Sequence, residues 1–208
     1  VKSVNKIPVI CRKDVPGFIV NRLFIPLVHE ACYVMERQKI QQTEIDSAVK
    51  FRLGFPMGIF ELADFTGLDV IHKATIEMHE RDKKVILPHP TIEQLFNEKK
   101  LGQKSGEGFY KYSDDKYERI PLSEELAQKC DPVQIIANIL NNAAWLVTNN
   151  ASDIDEIEKA ANLGLGLKKP LFDTAKEMGI KKIVEELKKL SKKHGAFYEP
   201  DPLLLSMC

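Results

Sequence analysis

Cysteine is scarce and scattered. Cys11, Cys32, Cys130 and Cys208 are the only four in 208 residues, and none forms a C-x-x-C pair. That excludes a zinc knuckle and a thioredoxin-like redox pair, and it suits a reducing compartment. The five histidines are dispersed without an H-E-x-x-H, so no metal site is expected. Neither sign of charge prevails, with 30 Lys and Arg against 30 Asp and Glu. This balance excludes a broadly basic nucleic-acid binder and a polyacidic tail, although a local patch remains compatible with it. No apolar run approaches the ~18–20 residues of a membrane span, and no signal-peptide pattern opens the chain. The expectation is a cytoplasmic protein with neither a nucleic acid nor a membrane as partner. Glycine and proline, 11 of each, are too few for a low-complexity chain, and the 44 % of hydrophobic residues is enough for a core.

What is present reads as helices. Val4 to Arg12 is rich in β-branched residues and is expected as one strand, at an edge because of Pro8. After Asp14-Val15-Pro16-Gly17, apolar residues from Phe18 to Met35 recur at three- and four-residue steps, which predicts a helix kinked at Pro26. Further helices are expected at about 43–51, 59–65, 69–81, 91–98, 132–149, 153–162, 170–178 and 180–193. Thr43-Glu44-Ile45-Asp46 resembles a capping box, and Asp131-Pro132 an N-cap followed by a first-turn proline. The fold class is therefore all-α with one orphan N-terminal strand.

The two halves match at a constant offset of 112. Ile45 falls on Ile157, Asp46 on Glu158, Leu53-Gly54 on Leu165-Gly166, Phe60 on Phe172 and Gly67 on Gly179. Asn21 falls on Asn138 at an offset of 117. Chance similarity of amphipathic helices is the alternative, but the glycines and the spacing agree together. Two units of this kind can bury their apolar faces against each other as a pseudo-two-fold pair. The expected divisions are 1–13, a lone strand; 14–112, the first helical copy; 113–130, a linker; and 131–208, a second, degenerate copy. Val1 and Cys208 read as cuts in a longer polypeptide, the alternative being a processed Met and a docked tail.

Two places could carry chemistry. Asn21 near a helix start offers a donor and an acceptor to orient a carbonyl or hydroxyl, or else bonds locally to backbone. The loop Leu101-Gly102-Gln103-Lys104-Ser105-Gly106-Glu107-Gly108 either lets backbone and Lys104 approach a phosphate or is simply a turn. Glu61 and Asp64 share a helix side, which is read as a solvated face before an acid–base pair.

The run Asp14-Val15-Pro16-Gly17-Phe18-Ile19-Val20-Asn21-Arg22-Leu23, with Leu53 to Asp64 and Leu101 to Tyr110, resembles the C-terminal helical domain of 3-hydroxyacyl-CoA dehydrogenases. The resemblance is dense over 4–112 and looser over the second repeat. It implies a helical fold like the C-terminal domain of 6-phosphogluconate dehydrogenase, in tandem as in fusions with enoyl-CoA hydratase. It further implies an oxidoreductase of fatty-acid β-oxidation that converts (3S)-3-hydroxyacyl-CoA to 3-oxoacyl-CoA with NAD. On this resemblance Asn21 is a substrate-binding residue beside the catalytic histidine, and Lys104 is a cofactor-binding residue that contacts NAD. Of the family's N-terminal Rossmann domain, with its glycine fingerprint and His–Glu pair, the resemblance leaves only a remnant in residues 1–13, where Val4 to Arg12 looks like its last strand. The chain alone is therefore expected to be inactive and to need that domain as partner. With the second copy in the place of a dimer mate, a monomer or weak homodimer is expected. The alternative is a non-catalytic acyl-CoA-binding or dimerisation module.

Overall fold

The computed structural model describes residues 6–113, 116–118 and 121–208. The apolar stripe after Gly17 forms α1 (Val20–Gln38), which runs on through Pro26 and ends on a left-handed Lys39. Then come α2 (Gln42–Arg52), α3 (Ile59–Thr66), α4 (Leu68–Arg81) and α5 (Pro90–Asn97). The second half comprises α6 (Glu124–Ala127), α7 (Val133–Thr148), α8 (Ile154–Leu165), α9 (Leu171–Met178), α10 (Ile180–His194) and α11 (Pro202–Ser206).

Apolar faces decide the packing. α1 lies against α7 at the centre, burying Leu23, Leu27, Val28 and Ala31 with Ile136, Leu140, Ala143 and Ala144. Each large aliphatic side chain so buried contributes roughly 1.5–3 kcal/mol. α8 reaches back onto α1, and α10, α9 and α11 pack on α7. A polar chain also crosses between the halves. Glu30 accepts from Arg37 and, at 2.6 Å, from the Tyr198 hydroxyl, while Arg37 Nε donates to Gln134 at 2.8 Å.

Displaced by 112 residues, α3 falls on α9 end to end, and α2, α4 and α5 fall on α8, α10 and α11 with the same first residues. Hydrogen bonds recur close to that displacement, the amides on Asp46 and Glu158 differing by one residue in register. Asp46 accepts the Phe60 and Glu61 amides at 2.8 and 3.2 Å, and Glu158 accepts those of Leu171 and Phe172 at 2.7 and 2.9 Å. His29 Nδ1 accepts the His89 amide at 3.2 Å, and Asn141 Oδ1 accepts the Asp201 amide at 2.8 Å. His89 and Asp201 then cap α5 and α11, each before a proline.

Four expectations need correction. Residues 6–12 are not a strand: their polar groups turn to the loop between α7 and α8 instead of to a sheet. The Arg12 amide donates to Ala151 O at 2.7 Å, the Ile10 amide to Glu156 at 2.8 Å, and the Ser152 hydroxyl to Ile10 O at 2.9 Å. Residues 4 and 5 of that expected strand lie outside the described residues. The expected linker 113–130 holds structure: β1 (Lys111–Ser113) pairs antiparallel with β2 (Lys116–Glu118), and α6 packs on α2. Gln41 and Glu44, not Thr43 and Asp46, make the cap of α2, because Asp46 is drawn to α3. Glu61 and Asp64 are buried, not solvated.

Candidate functional site

Pro16, Gly17 and Phe18 set the geometry around Asn21. Gly17 and Phe18 both have positive φ, 78° and 48°, and the Phe18 amide closes a turn on Val15 O at 3.0 Å. A side chain at Gly17 would fall 2.9 Å from both the Arg22 nitrogen and Met78, so glycine is required there. The turn throws Phe18 outward at 56 % exposure and starts α1 two residues later. Asn21 then stands exposed on the first turn of α1, at the edge of an open groove of about 460 Å³. Val9, Cys11, Phe18, Ile19 and Val20 line it, giving an apolar trough with one carboxamide at its rim. Arg22, the next residue, faces inward. Its guanidinium lies 3.8 Å over Trp145 and 3.1 Å from Asp82, and burial lowers its pKa.

Asn138, set opposite Asn21 by the sequence at an offset of 117, is not its counterpart at the 112-residue displacement that relates His29 to Asn141; Val133 stands there. Asn138 is buried, and among the described residues its side-chain oxygen lacks a partner. Val133 is buried and apolar, so the second half has no carboxamide at the place of the exposed Asn21.

Lys104 belongs to a second region. The loop carrying it is strapped onto α3 from behind. Asp64 accepts the Phe109 and Tyr110 amides, both at 2.9 Å, and the Tyr112 hydroxyl at 2.7 Å. The Tyr110 hydroxyl donates to Asp46 at 2.8 Å, tying the strap to α2. Burial raises the Asp46 pKa to about 7 and that of Asp64 in the same direction, against these donors. A Cβ on Gly102 or Gly108 would fall 2.3 Å from Asp64 O or 2.1 Å from Asp64 Oδ1. The glycines at 102 and 108 thus serve close packing on α3. On the outer side of the strap, Lys104 forms an ion pair with Asp69 in the first turn of α4 and holds the Asp69 pKa down. The lysine side chain keeps 47 % of its exposure, so it can still meet an anion. Among the described residues no hydrogen bond or ion pair joins Asn21 to Lys104.

Asp46, Asp64, Tyr110 and Tyr112 could not be read as one network from local pattern, since each contact spans 45 residues or more. A buried histidine cluster was likewise hidden. His29 donates from Nε2 to Thr75 at 2.7 Å, because the Thr75 hydroxyl is itself committed to Ile71 O, and its Nδ1 accepts from His89. Burial drives the His29 pKa down to about 3 and keeps it neutral. This histidine is held in the core and is not available as a base.

Comparison with known proteins supports the resemblance over the first half. Residues 17–112 match the family described as "3-hydroxyacyl-CoA dehydrogenase, C-terminal domain". The mitochondrial hydroxyacyl-coenzyme A dehydrogenase of Rattus norvegicus is 47 % identical over 113 residues, which are 53 % of this chain and 36 % of that protein. The chain therefore spans about a third of the length of such relatives. The crystal structure of Escherichia coli 3-hydroxybutyryl-CoA dehydrogenase superposes with a TM-score of 0.79 at 21 % identity, covering 99 % of this chain and 62 % of that one. The dehydrogenase part of Caenorhabditis elegans multifunctional enzyme 1 gives 0.67 at 19 % identity, covering 99 % and 50 %. At those identities the two structures speak for the fold, over both halves. No helix among the described residues is long and apolar enough to cross a membrane.

Proposed function

We propose that this chain is the helical, substrate-facing region of an NAD-dependent (3S)-3-hydroxyacyl-CoA dehydrogenase that serves fatty-acid β-oxidation. The match of residues 17–112 carries the reading, and the exposed Asn21 at its groove supplies the chemistry. In this reading the Asn21 carboxamide holds the 3-hydroxyl or 3-oxo oxygen of the substrate, or orients the base beside it. The apolar trough of Val9, Phe18 and Val20 takes the adjoining carbon chain. Lys104 gives a cation to NAD, which accepts the hydride when bound. The chain's residues fit only that outer contact, because no G-x-G-x-x-G occurs among its 208 residues. The remaining contacts to NAD and the proton-accepting histidine fall to a Rossmann domain outside this chain.

The recurrence of helices and caps at 112 residues supports a tandem pair, units 14–112 and 131–208, in which the second has become a structural partner. At the places of Asn21 and Asp64 it carries Val133 and Lys176. The α1–α7 contact would then take the place of a dimer interface.

The test is NADH consumption with acetoacetyl-CoA. The chain alone should show no turnover, and adding the nucleotide-binding domain of a relative should restore it. Stable oligomers with no gain of activity would favour a non-catalytic acyl-CoA-binding or dimerisation module. Turnover by the isolated chain would overturn the reading.

A further inference from the structure

The chain is neutral as a whole, yet one of its helices is not. α10 carries Lys181, Lys182, Lys188, Lys189, Lys192 and Lys193, all exposed. At 100° per residue the six fall within an arc of about 140° along a helix about 22 Å long. The opposite face, Ile180, Ile183, Val184, Leu187 and Leu190, is buried. Glu185, exposed, is the one acidic residue inside this arc; Glu186, at its edge, bonds to Gln134 and pairs with Lys189, leaving five of the six lysines with no ion pair or hydrogen bond among the described residues.

The packing role of this helix does not require such a face. At the equivalent places α4 carries Asp69, Val70, Ile76, Glu77, Glu80 and Arg81. With Glu185 and its equivalent Lys73 included, the face carries a net five positive charges in α10 and a net single negative charge in α4. Lys188 with Lys192, and Lys189 with Lys193, stand four residues apart and repel along the helix. A face that is merely solvated mixes both signs more evenly than six lysines around one Glu185.

We infer that the α10 lysine stripe is a docking surface for an anionic lipid bilayer, held at the headgroups without insertion. The residue types select this partner. A specific protein interface is centred on aromatic, methionine and arginine anchors and is depleted in lysine. Nucleic-acid grooves favour arginine forks and stacking aromatics. The stripe has neither. Flexible lysine point charges on a flat helix suit the diffuse field of acidic headgroups. Because the apolar face of α10 is already spent on the core, the contact is electrostatic and reversible by salt. The balanced composition hid this, since the compensating acidic residues lie elsewhere in the chain.

The experiment is co-sedimentation of the full chain with phosphatidylcholine vesicles, pure or with roughly one-third phosphatidylserine. Binding is expected only to the acidic vesicles, falling at least about tenfold between about 0.05 M and about 0.5 M salt. Replacing Lys182, Lys188, Lys192 and Lys193 by Gln should weaken it by about tenfold or more. Replacing Lys73, Lys83, Lys111 and Lys168 by Gln removes the same charge elsewhere and should change it less than about threefold. Circular dichroism of both variants should match the parent, since all eight lysines are exposed. No binding to acidic vesicles, equal binding to neutral ones, or an equal loss in both variants would overturn the inference. Retention on duplex DNA with acidic vesicles left unbound would overturn it too.

Discussion

Asp46 and Glu158 hold the same post in the two halves: each carboxylate accepts two backbone amides at the start of the next helix, α3 or α9. The orphan amides of a helix N-terminus need acceptors, and a carboxylate there also meets the positive end of the helix dipole. Asp46 is wholly buried and has the Tyr110 hydroxyl as a third donor, whereas Glu158 is half-buried.

Asp46→Asn should therefore cost about 2–3 kcal/mol, since its NH2 group would face donors inside the core. Glu158→Gln should cost about 1 kcal/mol. Urea unfolding of the two variants gives the comparison. Equal losses would show that burial does not set the difference.

The strap over α3 gives a second expectation. Gly108→Ala drives a methyl group into Asp64 and should cost about 2–3 kcal/mol, releasing the Phe109 and Tyr110 amides to exchange. Gly106→Ala has no neighbour nearer than 3.8 Å and meets only its positive φ of 78°, so about 1 kcal/mol is expected. Amide exchange across 101–112 distinguishes them. Protection unchanged in Gly108→Ala would mean that the loop does not lean on Asp64.

Glu30 makes stability depend on pH. Burial raises its pKa from 4.5 to about 7 in the folded chain, despite Arg37 and Tyr198. The folded form thus holds this proton more tightly than the unfolded form. The contribution is complete below 4.5 and is lost as pH rises through about 7. Glu30→Gln should flatten the decline of Tm between pH 5 and pH 8, leaving the similar share of Asp46. His29 acts in the opposite sense: with its pKa lowered to about 3, it withdraws stability as pH falls below about 6.5. An unaltered Tm profile in Glu30→Gln would show that Glu30 is already ionised at pH 5.

Asn21→Ala should separate stability from activity. The side chain is exposed, so the cost to folding should stay within about 0.5 kcal/mol. In the chain joined by a nucleotide-binding domain, kcat/KM for acetoacetyl-CoA should fall by about tenfold or more. Lys104→Ala should raise the KM for NADH and cost less than about 1 kcal/mol, as a surface pair with Asp69 does. Unchanged kinetics in both variants would remove these two residues from the site.

The helices were legible because apolar spacing is a local signal and Gly67, Gly179 and Pro90 punctuate it in the sequence itself. The 112-residue spacing of the helix starts was legible for the same reason, since glycines and apolar positions line up at it. Long-range partners were not. Nothing near Asp64 shows that amides 45 and 46 residues away will converge on it, so a buried anchor read as a solvated face. Val4 to Arg12 has strand-like composition, but β propensity is realised only where a neighbouring strand exists. Over residues 6–12 the hydrogen-bond partners belong to the α7–α8 loop and the first turn of α8, and the segment is irregular. Asn21 was found by motif, whereas its apolar trough depends on how the turn at Phe18 places Val9 and Cys11 beside it.

The α1–α7 contact also bears on dilution. Two separate subunits meeting through such a face would part as their concentration fell, following mass action. Here a single stretch of backbone between α6 and α7 keeps the faces at a fixed effective concentration, so their partnership is independent of how much protein a cell makes. The same tether frees the two faces from having to be identical. One half can keep Asn21 open to solvent while the other buries Val133 at the same place, a difference that a symmetric pair of identical chains could not adopt.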